Sequence, residues 1–500
     1  MNTFKRKALA SAVLGTLGVA GSAHAIFQDP NNLGEALIYP YYTVNNDSAG
    51  NAFNTFISVV NTTSDVKIVK VRFREGKNSA EVLDFNLYLS PNDVWTGAVI
   101  PQTSDVTSPA MLITTDKSCT NPPIPAAGQA FLNFQYSGPT ADGLAATLDR
   151  TREGYAEMFE MGRLVPGALA TAAIHVAGVP TCTGLTGPSL PAVAAATTAP
   201  TGGLMGTGTL INVTSGRDTM YNANAFGAWS AIQLYTDIGN DLPNFSQTNP
   251  AASVVVSLPT PGSTVQSVYV SSWLPTAPVT AGAKAASATM MHADVLNEYI
   301  LDAATKSNTD WVLTFPTKRL FVSVATVVAP FTNLLTTSGA CEIIDLTSFN
   351  REEASLSPAG VLFSPLPPGA TANSLCWEST VVSFRNGSTS SPSAPAVPSL
   401  VLGSQNVTTI GVTTTFQNGW ADIHFSGANA STVGLVSDVG STTAVIGGGL
   451  TTGAQTFHGL PVVGFMIRTF ANGTLTCGTA TCQGNYGGSV SHAYKNFMTP

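Results

Sequence analysis

Alternation of apolar and charged residues over positions 69–89 is the feature that most restricts the fold of this chain. In the run 69–74, valine and phenylalanine alternate with lysine and arginine, which is the period of a half-buried β-strand. Turn residues follow at 75–78, and the run 83–89 then alternates again. The sequence therefore predicts a β-hairpin.

The basic row of this hairpin consists of Lys70, Arg72 and Arg74. Such a row suits either a binding surface or a solvated strand face. Because the return strand carries the acidic Glu81 and Asp84, cross-strand charge pairing explains the row without a ligand. We therefore expect a solvated face.

Low charge density extends the β interpretation to the whole chain. Only 10% of the 500 residues are charged, against about 25% in ordinary globular domains. Abundant Thr, Ser, Gly and Val residues suit strands and turns better than exposed helices. We expect a mainly β fold, built of antiparallel sandwich-type modules with one or two short helices.

Changes in composition divide the chain into four expected regions. Residues 1–25 form a signal peptide, and 26–165 an N-terminal β-sandwich-like domain. Residues 166–355 form a β-rich middle region, with a helix near 287–305 because Val295, Tyr299 and Ala303 make one helical stripe. Residues 356–500 form a β region rich in Thr, Ser and Gly, with few charges.

The N-terminus has the pattern of a secretory signal. Lys5, Arg6 and Lys7 precede a short apolar run, which ends in the small-residue sequence Ala23-His24-Ala25. Cleavage there predicts a mature protein that begins at Ile26; an uncleaved anchor is the alternative. We expect an exported protein at the cell surface or outside the cell, or alternatively in the periplasm.

All six cysteines follow the signal, where an oxidising compartment favours disulfides over metal ligation. Pairing in sequence order is our expectation, although six cysteines allow 15 pairings. The cysteines are Cys119, Cys182, Cys341, Cys376, Cys477 and Cys482.

Charge argues against a nucleic-acid partner, and hydropathy argues against a transmembrane helix in the mature chain. The net charge of −8 argues against nucleic acid, which requires a basic surface. After the signal, no segment has the length and continuity of a transmembrane helix, and the interrupted run 321–331 comes closest.

Motifs for catalysis are absent from the sequence. It lacks the G-x-S-x-G, H-E-x-x-H and C-x-x-C-H patterns and a phosphate-binding glycine loop followed by lysine. The histidines are scattered singly. We therefore expect a protein without catalysis and without a cofactor, and a hydrolase with an unrecognised site is an alternative.

One short turn offers ligands for a cation. Asp237, Asn240 and Asp241 place three oxygen-bearing side chains around a glycine, and calcium prefers several such ligands on a flexible loop. The spacing differs from that of an EF-hand. An ordinary Asx turn explains the same residues, so a calcium site and an Asx turn without a metal are alternative interpretations.

Three segments resemble unannotated cell-surface proteins of Gram-negative bacteria. They are Leu83-Asp84-Phe85-Asn86-Leu87-Tyr88-Leu89-Ser90-Pro91, Thr309-Asp310-Trp311-Val312-Leu313-Thr314-Phe315-Pro316-Thr317-Lys318-Arg319 and Gly459-Leu460-Pro461-Val462-Val463-Gly464-Phe465. The resemblance implies an address at the cell surface and no particular activity.

These observations favour a structural or interaction protein of the cell envelope, such as a surface-layer, matrix or adhesive component. Uncharged, Thr-rich strands are prone to pair edge to edge, which would suit self-association. The alternative is a module that binds carbohydrate or another ligand through tryptophan, although a buried core explains tryptophans equally well. The six candidates are Trp95, Trp229, Trp273, Trp311, Trp377 and Trp420.

Overall fold

The computed structural model describes residues 25–247, 253–259, 266–274, 278–356, 373–387, 391–392, 397–425, 434–444, 451–477 and 480–499. Almost all of the expected signal peptide therefore lies outside the described residues. The described chain is mainly β, as expected, with three short α-helices: α1 (Ala168–Ala173), α2 (Pro191–Ala196) and α3 (Ala281–Thr289). No helix in these ranges is both long and apolar enough to cross a bilayer.

The first half of the chain contains sixteen strands within the described ranges. They are β1 (Ala25–Gln28), β2 (Ala36–Thr43), β3 (Asn54–Asn61), β4 (Lys67–Glu75), β5 (Glu81–Leu89), β6 (Val94–Pro101), β7 (Ala110–Ile113), β8 (Cys119–Asn121), β9 (Gln129–Ala130), β10 (Glu153–Leu164), β11 (Thr197–Thr198), β12 (Leu204–Asn212), β13 (Arg217–Asn222), β14 (Asn224–Gly227), β15 (Ser253–Pro259) and β16 (Gln266–Ser272).

The second half contributes twenty further strands to the described structure, many of them short. They are β17 (Met291–His292), β18 (Asp294–Ile300), β19 (Asn308–Thr314), β20 (Glu342–Ile343), β21 (Asp345–Asn350), β22 (Ser355–Leu356), β23 (Ser374–Leu375), β24 (Ser379–Asn386), β25 (Ser391–Pro392), β26 (Val407–Val412), β27 (Asn418–His424), β28 (Leu435–Val436), β29 (Val439–Ala444), β30 (Thr451–Thr452), β31 (Thr456–His458), β32 (Leu460–Pro461), β33 (Val463–Cys477), β34 (Ala480–Ser491), β35 (Ala493–Lys495) and β36 (Phe497–Thr499).

Two sheets form a first sandwich. The larger has the order β30-β29-β16-β15-β1-β14-β2-β10-β4-β5-β8, with β11 beside β10, and the smaller has the order β13-β12-β3-β6-β7-β9. The expected hairpin is β4 paired antiparallel with β5. Apolar side chains of both sheets meet in one buried cluster, in which Phe85 and Trp95 pack with ring centroids 5.7 Å apart.

A second sandwich carries the candidate site. A six-stranded sheet, β25-β26-β24-β19-β33-β34, packs against a five-stranded sheet, β22-β21-β27-β18-β35. Between them Tyr299 stacks on Phe384 at 4.6 Å. The six-stranded sheet also contacts the first sandwich, where Phe465 stacks on Tyr221 at 4.7 Å. It is therefore buried on both faces, and the five-stranded sheet lies outermost.

The expected domain boundary near residue 165 does not coincide with an edge of the sheets. Strand β12 pairs with β3, and β14 pairs with β1 and β2. Strands on both sides of residue 165 therefore share the same two sheets. Local composition could not show this, because strand pairing joins segments that are distant in sequence.

The helix expected near 287–305 is wrong over most of its length. Helix α3 ends at Thr289, and residues 294–300 form strand β18. Val295 and Tyr299 are both fully buried, as the stripe required. Positions four apart share a face on a helix and on a strand alike, so the spacing did not distinguish a helix from a strand. Hydrogen bonding with β27 and β35 stabilises the strand.

The basic row of the first hairpin is also corrected, because it is buried rather than solvated. Lys70 pairs with Asp84 at 2.9 Å, and Arg72 with Glu81, as the cross-strand argument required. Strand β10 adds Glu157 on the other side, 3.1 Å from Arg72 and 2.7 Å from Arg74. A third strand of the same sheet thus flanks the row, and Arg72 also donates to the Pro243 carbonyl oxygen at 2.7 Å. The row is therefore a buried ion-pair network.

Two disulfides join cysteines in the expected sequence order. Cys119 bonds to Cys182, and Cys341 bonds to Cys376. The side chains of Cys477 and Cys482, for which the same rule predicts a third bond, lie outside the described part of the structure. Cys119–Cys182 anchors the segment that contains α1 to the edge strand β8.

Candidate functional site

The outermost sheet presents one face to the core and one to solvent. On β27, Ala421 and Ile423 are fully buried in the core. Because successive side chains on a strand point to opposite faces, the residues between and beside them lie on the outer side. We call this side the open face. Its residues are Asp345, Thr347, Phe349, Trp420, Asp422, His424, Asp294, Leu296, Glu298 and Lys495.

An aromatic pair lies on the open face. Phe349 and Trp420 are directly opposite each other on β21 and β27, and their rings stack with centroids 4.4 Å apart and planes 13° apart. Trp420 is 40% exposed. Gly419 allows this approach of the strands, because a Cβ there would lie 1.9 Å from the Phe349 carbonyl oxygen.

Trp420 differs from the other five tryptophans, all of which lie in described parts of the chain. Trp95, Trp229, Trp273, Trp311 and Trp377 have at most 9% of their surface exposed. Core packing therefore explains those five, as expected for tryptophan in general. The structure does not cluster several tryptophans on one surface, and Trp420 with its phenylalanine partner is the remaining candidate for ligand stacking.

A charged row crosses the same face. Lys495, Asp294, His424 and Asp345 occupy one line across four neighbouring strands, since each is in register with the next. Asp422 lies two residues before His424 on the same side of β27. The row thus collects three carboxylates, an imidazole and an ammonium group from strands β18, β21, β27 and β35.

Short contacts link the members of the charged row. His424 Nδ1 lies 2.7 Å from Asp294 Oδ1 and 3.6 Å from Asp422 Oδ1. Lys495 Nζ donates to Asp422 Oδ2 at 2.5 Å. The hydrogen bond to Asp294 raises the pKa of His424, and the hydrogen bond to Asp422 raises the pKa of Lys495. Both shifts favour the charged forms.

Asp422 is the buried member of this row. Its side chain is only 5% exposed, and its Oδ1 atom makes no hydrogen bond to any described residue. A buried carboxylate oxygen without a hydrogen bond is costly, and the contact with His424 at 3.6 Å is too long to be one. The Oδ1 atom points into the group formed with Asp294 and His424, whose donor atoms all lie within 4.8 Å of one another.

At the other end of the face, Glu298 lies directly opposite Trp420 on β18. Its carboxylate pairs with the Arg468 guanidinium. The aromatic pair is therefore bordered by ionic groups along the strands and across them. An apolar ring surface surrounded by hydrogen-bonding groups suits a ligand with both C–H and O–H surfaces.

The residues proposed for calcium have separate partners. Asp237 Oδ1 accepts hydrogen bonds from the Leu190 amide and the Tyr235 hydroxyl, and Asn240 Oδ1 accepts from the Leu242 amide. Asp241 accepts from the Asn244 side chain. Burial alone would raise the pKa of Asp241, but neighbouring arginines, Arg74 first, lower it. Calcium at this turn stays a prediction.

Sequence reasoning missed the open face, although a signal was present. The segment Trp420-Ala421-Asp422-Ile423-His424 alternates large polar or aromatic residues with apolar ones, which is the period of a half-buried strand. It placed a tryptophan, an aspartate and a histidine on one face. The partners Asp294 and Phe349 required strand pairing and could not be read locally.

A cleft of about 910 Å³ lies between the two sandwiches. Among its charged groups, Arg150 pairs with Glu75 at 2.9 Å and with Asp142 at 2.8 Å. Its tryptophan, Trp377, is buried beneath the Lys77 ammonium, which lies 5.3 Å from the ring centroid. Of these contacts, that between Lys77 and Trp377 joins the two sandwiches. The open face, with its exposed aromatic pair, is therefore the better candidate for ligand binding.

Comparison with known proteins gives no family for this chain: neither a protein-family model nor a curated protein matches it.

Proposed function

We propose that this chain is an exported interaction protein of the bacterial cell envelope that binds a polysaccharide on its open face without cleaving it. The observation that carries the proposal is the exposed stack of Trp420 on Phe349, which contrasts with five buried tryptophans. Large aromatic side chains that are left exposed beside polar groups are typical of recognition surfaces.

A saccharide fits the chemistry of this surface. The C–H groups of a sugar ring carry small positive charges and pack against the negative face of an aromatic ring. Its hydroxyl groups require donors and acceptors, which the exposed side chains of Glu298 and Arg468 supply beside Trp420. A flat, open sheet also accommodates an extended chain better than a single small molecule.

The proposed cellular location rests on two features of the chain. The N-terminal residues have the pattern of a secretory signal, and two disulfides occur in the folded chain, which suits an oxidising compartment. We propose that the mature protein functions at the cell surface or outside the cell, where envelope and matrix polysaccharides are available.

The proposal is tested by titrating mature protein, residues 26–500, against a panel of bacterial envelope polysaccharides. Trp420→Ala removes the stacking surface and should weaken the best binder by about 30-fold, which corresponds to a contact of about 2 kcal/mol. Phe134→Ala is the matched control, because Phe134 is 72% exposed and belongs to no strand of the open face. It should bind as wild type does.

Two outcomes would contradict the proposal. Either no polysaccharide in the panel binds, or Trp420→Ala and Phe134→Ala bind it as tightly as wild type. Light scattering over a concentration series belongs in the same experiment. Growth into large assemblies without any polysaccharide would instead favour self-association, the other envelope role suggested by the Thr-rich strands.

A further inference from the structure

We propose that Asp294, Asp422 and His424 form a binding site for a single divalent transition-metal ion of the zinc class. This inference goes beyond saccharide binding and does not depend on it. It rests on the separation of the three donor atoms, on a buried oxygen that accepts no hydrogen bond from any described residue, and on the charge of the surrounding row.

The geometry needs little adjustment for a metal. Zinc binds imidazole nitrogen and carboxylate oxygen at about 2.0–2.2 Å, so two ligands of a tetrahedral site lie roughly 3.3 Å apart. His424 Nδ1 lies 2.7 Å from the Asp294 oxygen and 3.6 Å from the Asp422 oxygen. These separations lie on either side of the required value.

The buried oxygen gives the second, independent observation. Asp422 Oδ1 makes no hydrogen bond to any described residue, although its side chain is only 5% exposed. A carboxylate oxygen that has lost its water normally gains a donor or a cation in return. Of the two Asp422 oxygens, Oδ1 is the one nearer to His424 Nδ1, at 3.6 Å, and it is available for coordination.

The charge of the row also favours a dication. The carboxylates of Asp294 and Asp422 share one ammonium group, because Lys495 Nζ lies 2.5 Å from Asp422 and 3.8 Å from Asp294. His424 must be neutral to bind a metal, so the two carboxylates then carry one more negative charge than Lys495 balances. The Lys495 side chain is 54% exposed, so it is free to swing into solvent and leave the carboxylates to a metal.

The mixed donor set selects the class of metal. Calcium and magnesium prefer oxygen ligands alone, whereas imidazole suits zinc and neighbouring transition metals. Three protein ligands leave a fourth position for water or another oxygen. This position would lie on the solvent side, because the site is on the open face.

The test is calorimetric titration of tag-free mature protein with Zn²⁺ and, separately, with Ca²⁺. Wild type should bind one Zn²⁺ and should bind Ca²⁺ at least tenfold more weakly. Asp422→Asn and His424→Gln should each weaken Zn²⁺ binding at least tenfold. Lys495→Met should strengthen it, because the competing ammonium is gone. Circular dichroism of each variant checks that it is folded.

Asp93→Asn is the matched control, because Asp93 and His175 form another carboxylate–imidazole pair, 3.6 Å apart. It should leave Zn²⁺ binding unchanged. If a variant fails to fold, Co²⁺ titration of wild type still decides, because tetrahedral Co²⁺ has strong visible absorption. Absence of Zn²⁺ binding, or unchanged binding in folded Asp422→Asn and His424→Gln, would overturn the inference. Polysaccharide titration with chelator present tests the proposed function separately.

Discussion

Replacing Glu157 by glutamine removes a charge that two buried arginines share. Glu157 is fully buried on β10, and its Oε1 accepts from Arg72 Nη1 at 3.1 Å and from Arg74 Nε at 2.7 Å. Arg72 keeps Glu81 as a partner, and Arg74 keeps Asp241 at 3.6 Å. The variant therefore weakens two charge-assisted hydrogen bonds inside the first sandwich without emptying any volume.

The expected loss follows from these two contacts. A hydrogen bond to a charged group contributes about 1.5–3 kcal/mol, and breaking a buried pair on one side costs about 3–5 kcal/mol. We expect Glu157→Gln to lower the free energy of unfolding by about 3–5 kcal/mol. Because the network is buried, added salt should change this loss little.

Urea unfolding of residues 26–500, followed by tryptophan fluorescence, measures the effect. Asp65→Asn is the control, because Asp65 pairs with Arg163 at 3.2 Å on the surface, where the two side chains are 30% and 41% exposed. It should cost about 1 kcal/mol or less. A loss below 1 kcal/mol for Glu157→Gln, at an unchanged dependence on urea, would refute the view that the buried pairs maintain the sandwich.

Two further predictions concern stability. Burial lowers the pKa values of His292 and His492 to about 4, so the unfolded chain binds more protons below its pKa of about 6.5, and stability falls as the pH decreases towards 4. Each histidine should lower the free energy of unfolding by about 2 kcal/mol between pH 7 and pH 5. Glu35 acts in the opposite sense, because burial raises its pKa to about 7 and its protonation stabilises the fold as the pH decreases. The contribution of the histidines is therefore measured as the difference between wild type and the double variant His292→Gln/His492→Gln in urea titrations. Replacing both Cys119 and Cys182 by serine opens a loop with a sequence separation of 63 residues and should cost about 4 kcal/mol, measured by the same titration with the other cysteines intact; a loss below 1 kcal/mol would contradict the estimate.

The spacing of apolar residues along the sequence predicted those strands in which one face is apolar and the other is polar. The hairpin of β4 and β5 follows from the alternation of apolar and charged residues. The spacing gave the wrong structure at Val295 and Tyr299, because a spacing of four residues fits both a helix and a strand. Pairing with neighbouring strands makes this segment a strand, and such pairing cannot be seen in a single sequence.

The candidate site shows the same limit. Trp420, Asp422 and His424 share a face because they alternate along one strand, and this could have been predicted from their spacing. Asp294 and Phe349 join them only because β18 and β21 pair with β27 in one particular register. A shift of one residue would turn either side chain towards the core, so the site depends on tertiary structure.

The most direct test of the open face is chemical footprinting of Trp420. Mature protein is oxidised at tryptophan in the presence and absence of the best-binding envelope polysaccharide, and each tryptophan is then quantified by peptide mass spectrometry. Trp420 is 40% exposed, whereas the other five tryptophans are buried, so it should react first. The account predicts that saturating polysaccharide protects Trp420 at least fivefold; oxidation of Trp420 at the same rate with bound polysaccharide would contradict it.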